Sequence, residues 1–116
     1  PRSTLFPYTT LFRSMIISGG VNVYPKDIEE VIIKHPAVSE VAIFGIPDEK
    51  WGEIPIAAVI FHKEQNVVEE DLKTWINQRV DAKFQRVADV QVLEDFPRNI
   101  AGKTLKREMR EIFVNN

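Results

Sequence analysis

The chain has 116 residues, with 15 basic and 17 acidic side chains and a net charge of −2 at pH 7; the signs are interspersed, which excludes a global field that recruits nucleic acid or a membrane surface. It contains no cysteine, which excludes thiol catalysis and thiolate metal sites and agrees with a reducing, cytoplasmic setting. The longest apolar runs, Val41 to Ile46 and Ile54 to Phe61, fall far short of the ~20 residues that cross a bilayer, so the chain reads as one soluble domain without a membrane span.

Residues 1–14 differ in texture from the remainder of the chain: no acidic residue, five Ser or Thr, and Thr-Leu-Phe written twice. Pro7 and the hydroxyl residues interrupt any apolar core, so this is not a signal peptide. It reads as a non-native, cloning- or sequencing-derived leader ahead of a domain over residues 15–116, with a short native edge strand as the alternative. From Met15 a short apolar strand, the Gly19-Gly20 turn and a second extended piece to Val23 predict a β-hairpin. Pro25 suits a first helical turn, and Ile28, Val31, Ile32 and His35 recur at helical spacing with Glu29, Glu30 and Lys34 outward. His35-Pro36 ends that helix.

Val38 to Ile46 and Ile54 to His62 predict two strands, both central and covered on two faces, because their apolar character is nearly continuous. Trp51 lies in the polar connection between them, either as a lid on the core edge or as a stacking surface. Leu72, Trp75, Ile76 and Val80 predict a helix over 68–80 that starts on Val67 and Val68 without a capping side chain. A strand with one solvated face comes next at Asp89 to Leu93, and a last helix carries Leu105, Met109, Ile112 and Phe113 inward, with a solvated cationic outer face. The fold class is α+β: a small mixed or antiparallel sheet of about three central strands flanked by helices, plus the N-terminal hairpin.

No catalytic set is complete, and no His, Asp or Glu group has metal-ligand spacing, so no metal site is predicted. His35 and His62 read as helix-end and strand-end residues. Four places remain where chemistry could sit: the Gly19-Gly20 turn, the Trp51 loop, the Phe84 to Arg86 segment, and the stretch Phe96-Pro97-Arg98-Asn99-Ile100-Ala101-Gly102-Lys103. In the last, a proline, a polar turn and a glycine hold Lys103 out on a loop before a helix, a movable cation for an anionic group such as a carboxylate or an α-phosphate.

Taken together, Met-Ile-Ile-Ser-Gly-Gly-Val-Asn-Val-Tyr-Pro with Asp27 to Glu30, the Pro47-Asp48 to Trp51-Gly52-Glu53 connection, and Phe96 to Lys103 closely resemble the C-terminal domain of adenylate-forming enzymes of the acyl-CoA synthetase branch. The resemblance runs from Met15 to the end. It implies ATP and CoA as substrates with Mg²⁺ in the full-length enzyme, a carboxylic acid as the third substrate, and a large N-terminal adenylation domain as the missing partner. The carboxylate first attacks ATP to give an acyl-adenylate; the CoA thiol then displaces AMP, and the small domain rotates between the two steps. By carry-over Lys103 is the catalytic lysine of adenylation, Gly19, Gly20 and Val21 form the loop that serves the thioester step, and Trp51, Phe84 and Arg86 contact CoA. Two departures stand out. The family's Lys-x-Pro after the aromatic is replaced by Gln85, Arg86 and Val87, and Arg13-Ser14 does not match the charged hinge expected near position 13. The chain alone is therefore expected to bind neither substrate and to be non-catalytic. Other readings are an autonomous binding module and the lid of a CoA-independent adenylating enzyme.

Overall fold

The computed structural model describes residues 15–115; the leader read over residues 1–14, with Arg13-Ser14 at the hinge position, lies outside them. Two long strands dominate. The first two, β1 (Ile16–Ser18) and β2 (Val21–Val23), form the expected hairpin, and after them come helix α1 (Pro25–Ile32), β3 (Val38–Asp48), β4 (Gly52–Phe61), α2 (Glu69–Asn77), β5 (Asp89–Val92) and α3 (Lys106–Asn115). β3 and β4 pair antiparallel from Val38↔Phe61 to Asp48↔Gly52, with a register shift between Val38 and Glu40.

Their near-continuous apolar runs are split by strand alternation into two cores, since successive side chains point to opposite faces. On one face Ile43, Ala57 and Val59 pack with Ile28 and Ile32 of α1, Leu72 and Ile76 of α2, and Val90 of β5. On the other, Ala42, Phe44, Ile56 and Ala58 pack with Phe96 and with Met109 of α3. This two-sided burial is what the composition of the strands requires.

β4 is central: β3 covers one edge, while β5 pairs parallel to Ile56–Val59 on the other and β1 joins it at Ser18↔Gly52. The hairpin strands thus enter the same sheet, which is mixed and has five strands, where about three central strands plus a separate hairpin were expected. β3 departs from expectation. It is covered on both faces, yet among the described residues it pairs only with β4 and forms an edge. Pro47 fits such an edge because it has no N–H to leave unpaired.

The edge is closed by a side chain expected to face solvent. Glu29 of α1 accepts the Ile43 amide at 2.8 Å and the Lys106 ammonium at 2.6 Å. One carboxylate thereby joins the helix on one face, the edge of the sheet, and the helix on the other face. The outer face of α3 is correspondingly less free than its sequence suggests, and Ile112 is 52% exposed rather than part of the inward stripe.

The other helices obey their sequence signals with shortened ends. α1 begins at Pro25 and stops at Ile32, before His35. α2 has Val68 at its N-cap with no side-chain cap, compensated by Glu69, Glu70 and Asp71 in the first turn, where carboxylates favour the helix dipole. Its last residue, Asn77, both donates to the Val87 carbonyl and accepts the Val87 amide, tying the helix to the approach of β5.

This packing makes the roles of Glu29 and His35 testable. Glu29→Ala should cost about 1 to 2 kcal/mol, the range for a charged hydrogen bond discounted for partial exposure, and Glu29→Gln less, because its carboxamide oxygen still accepts the Ile43 amide. Urea unfolding measures both, and unchanged stability in Glu29→Ala would remove Glu29 from its role. In His35, Nδ1 accepts the Ala37 amide at 3.0 Å while the ring meets Trp75 edge-on at 4.8 Å. Burial, and then the charge of Arg79, hold its pKa below the ordinary 6.5. The folded chain therefore binds fewer protons than the unfolded chain just below that value, so this contribution is complete above it and is lost as pH falls through the lowered pKa. The thermal midpoint should drop as pH falls below the ordinary histidine value in the native chain, and less so in His35→Asn, which keeps an acceptor but cannot titrate.

Candidate functional site

Gly19 and Gly20 form the tip of the β1–β2 hairpin with φ of +59° and +79°, in the left-handed region that glycine enters without penalty. The turn leans on the connection between β3 and β4. The Gly19 amide donates to the Trp51 carbonyl at 2.8 Å, and a Cβ at Gly19 would lie 2.9 Å from the Trp51 ring and 3.1 Å from Phe84. Trp51 is itself fixed by Asp48, whose Oδ2 accepts the amides of Lys50 and Trp51. Trp51 and Phe84 meet edge to face at 6.4 Å. The Trp51 ring thus backs the glycine turn and still remains 39% exposed.

Beside this contact lies an open cleft of about 200 Å³ lined by Ser18, Trp51, Pro55, Lys83, Phe84 and Arg86. The structure thus brings together Gly19, Trp51, Phe84 and Arg86, which come from separate stretches of the chain. Val21 stands exposed at the start of β2, next to the turn. Position 85 is committed elsewhere: Gln85 Oε1 accepts the Ala82 amide and closes the short 3-10 turn Lys83–Gln85. Lys83, which the sequence reading passed over, lines the cleft with Arg86, so two cations face an apolar, partly aromatic hollow. Such a lining suits a phosphate-bearing ligand with a flat or apolar portion.

Lys103 lies elsewhere. It is exposed on a loop between Phe96, which is buried against Met109, and α3. Arg98 and Thr104 form an isolated antiparallel bridge across the loop. Inside it the Asn99 amide donates to the Lys103 carbonyl, the Gly102 amide to the Asn99 carbonyl, and the Lys103 amide to Asn99 Oδ1, each at 2.9 Å. Gly102 has φ +85°, which a residue with a Cβ would adopt only under strain. The loop backbone is closed on itself, while among the described residues no ion pair involves the Lys103 side chain.

Arg98 ties the loop to the sheet. Its Nη2 donates to both oxygens of Glu40 on β3 at 2.9 Å and to Asp95 Oδ1 at 3.0 Å, and Nε also reaches Asp95 at 3.2 Å. The Phe96 amide, and then the Arg98 guanidinium, hold the Asp95 carboxyl below its ordinary pKa, while Glu40 and then Asp95 raise that of Arg98. The Lys103 loop is therefore anchored at the Glu40 end of β3. The glycine turn is anchored at the Asp48–Gly52 end, roughly 25 Å away along the strand at ~3.3 Å per residue. Sequence reasoning missed Asp48, Glu40 and the anchoring part of Arg98. An Asp two and three residues before Lys50 and Trp51 is a readable turn signal, whereas the Arg98–Glu40 pair is 58 positions apart and has no local one.

Among the described residues no group of three His, Cys, Asp or Glu side chains stands ready for a metal, and no helix is long and apolar enough to cross a membrane.

Comparison with known proteins gives this geometry a context. Residues 27–103 match the family described as the AMP-binding enzyme C-terminal domain. The chain is 42% identical over 98 residues to a 2-succinylbenzoate–CoA ligase of Bacillus cereus, covering 84% of this chain and 20% of that protein. It is 48% identical over 99 residues to the long-chain-fatty-acid–CoA ligase FadD13 of Mycobacterium tuberculosis, covering 85% of this chain and 19% of that one. In structure it is similar to ATP-bound MatB from Rhodopseudomonas palustris, with a TM-score of 0.82 at 34% identity over 88% of this chain and 20% of the other. The chain thus spans about one fifth of the length of these relatives. The family match runs from α1 to the Lys103 loop, and the chain belongs to the AMP-binding enzyme C-terminal domain family.

Proposed function

We propose that residues 15–116 are the C-terminal lid of an ATP-dependent acyl-CoA synthetase, with residues 1–14 a leader foreign to it, and that the lid serves two half-reactions in turn. The overall reaction joins a carboxylic acid to CoA with conversion of ATP to AMP and pyrophosphate, in the cytoplasm. The observation that carries this reading is the placing of two glycine-bearing loops at opposite ends of one β3–β4 ribbon. A stiff ribbon cannot offer both ends to one site at once, so a single active site receives them only by rotation of the domain. Relatives named as CoA ligases, and a similar structure that holds ATP, support the substrates.

In the first half-reaction a carboxylate oxygen attacks the α-phosphorus of ATP and pyrophosphate leaves. The Lys103 ammonium, held out by its closed loop, neutralises charge on the reacting carboxylate and phosphate oxygens. In the second, the CoA sulfur, attacking as the thiolate after its proton has passed to solvent, adds to the acyl carbonyl of the adenylate and AMP leaves with the electron pair. The Gly19–Val21 turn then lines the path of the thiol arm, with backbone N–H groups and, at its glycines, no side chain to obstruct it. The nucleotide end of CoA lies over Trp51 and Phe84 with phosphate at Arg86. The Mg²⁺ that accompanies ATP falls to the nucleotide and the adenylation domain. Positioning groups on that domain are needed for turnover, so the isolated chain is non-catalytic.

The test separates the half-reactions in the chain joined to its adenylation domain. Lys103→Ala should slow acyl-adenylate formation by about 100-fold or more while thioester formation from supplied acyl-adenylate stays within about twofold. Gly19→Ala, whose Cβ meets the Trp51 ring at 2.9 Å, should show the reverse pattern. Trp51→Ala and Arg86→Ala should each raise KM for CoA by roughly tenfold without slowing adenylation. Equal losses in both half-reactions for Lys103→Ala and Gly19→Ala would refute the division of labour.

A further inference from the structure

We infer that Arg98 is a positioning residue for Lys103: its bridge to Glu40 and Asp95 fixes the loop from which the lysine is presented. The inference rests on the adenylation role proposed above for Lys103, and it concerns the device that holds the lysine in place.

Lys103 sits at the end of a four-carbon stem on an exposed loop, so its reach depends on where the backbone of that loop stands. The contacts inside the loop, from Asn99 to Gly102 and Lys103, close it on itself but attach it to nothing else. The attachment comes from its two flanks. Phe96 is buried at one side, and at the mouth a single guanidinium meets both oxygens of Glu40 on β3, Asp95 beside it, and Thr104 Oγ1 across the bridge at 3.5 Å. Pro97 also accepts the Leu105 amide at 2.8 Å, which lines up the two strands of the mouth. Among the described residues, Arg98 is the side chain that spans the sheet, the outgoing strand of the loop and the returning strand. A guanidinium suits that task because its donors form a planar fork, whereas an ammonium is a point charge that satisfies the same partners only in part. Glu40 lies at the register shift of the β3–β4 ladder, so its side chain marks a defined place on the scaffold.

The role is one of aim and not of fold. Glu40 and Asp95 are 43% and 74% exposed in their side chains, and neither cluster of the core contains Arg98. Loss of the bridge should leave the cores intact and let the loop swing. A catalytic cation displaced by about 1 Å loses up to roughly 100-fold in rate, even when the change is made elsewhere.

The test uses Arg98→Gln, Arg98→Lys and Glu40→Gln, with Lys103→Ala as a control. In the chain itself, amide exchange at Gly102 and Lys103 should quicken about tenfold in Arg98→Gln while Ala57 and Ala58 on β4 are unchanged. In the chain joined to its adenylation domain, Arg98→Gln and Glu40→Gln should slow adenylate formation by about 10- to 100-fold and leave thioester formation from supplied adenylate within about twofold; Arg98→Lys should recover part of the loss. Unchanged exchange, or equal slowing of both half-reactions, would overturn the positioning role, since a merely structural defect does not discriminate between them. If Lys103→Ala itself leaves adenylation intact, the reading of Lys103 fails, and the exchange result still decides whether Arg98 holds the loop.

Discussion

Everything in this domain depends on β4 being buried on both faces and paired on both edges. Its run of Ile56, Ala57, Ala58 and Val59 is at most 1% exposed, and such a strand has no solvent face on which to place a polar residue. Each flanking element answers that demand. α1 and α2 cover one face of the β3–β4 pair, Phe96 and α3 the other, and β5 pairs along the far edge of β4. The alanines matter as much as the larger residues, because small side chains at the centre let helices approach the sheet from both sides. The two candidate loops lie where this layered core runs out: the glycine turn at one end of the ribbon and the lysine loop at the other.

Much of this is legible residue by residue. Periodicity separates helices from strands, and the Gly19-Gly20 and Gly102-Lys103 turns announce themselves through residues that tolerate left-handed backbone. What escapes is long-range. Glu29 reads as one more outward carboxylate on an amphipathic helix, and only the fold shows that β3 passes close enough for its amide to donate to it. The edge position of β3 among the described residues is hidden for a related reason: continuous apolar character reports burial of the faces and says nothing about which edge is paired. Arg98 and Glu40 are ordinary surface residues until the chain returns to bring them within 2.9 Å.

The candidate site has the same division. Lys103, Trp51, Phe84 and Arg86 stand out one at a time, and the fold gathers three of them around one cleft while leaving the lysine apart. Trp51 links two of the proposed tasks, since the ring that borders the cleft also sets the place of the glycine turn. Ligand stacking and turn geometry would therefore share one side chain. The departure at Gln85 acquires a physical account as well, because its carboxamide is spent on the Ala82 amide and the cations at Lys83 and Arg86 flank the turn it closes.

The Glu29 clip also bears on how the chain avoids its own kind. An eleven-residue strand such as β3, rich in Val, Ile and Phe, is a template for intermolecular pairing and fibril growth when its edge lies open. Here the Ile43 amide is already occupied by a charged side chain, Pro47 offers no donor, and Glu40 carries Arg98 alongside. A second copy approaching that edge would have to displace a carboxylate held by Lys106 before it could add a strand. A lid that swings free of its body in each cycle, as proposed for this domain, would expose its flank repeatedly, and it would do so with this edge amide already occupied.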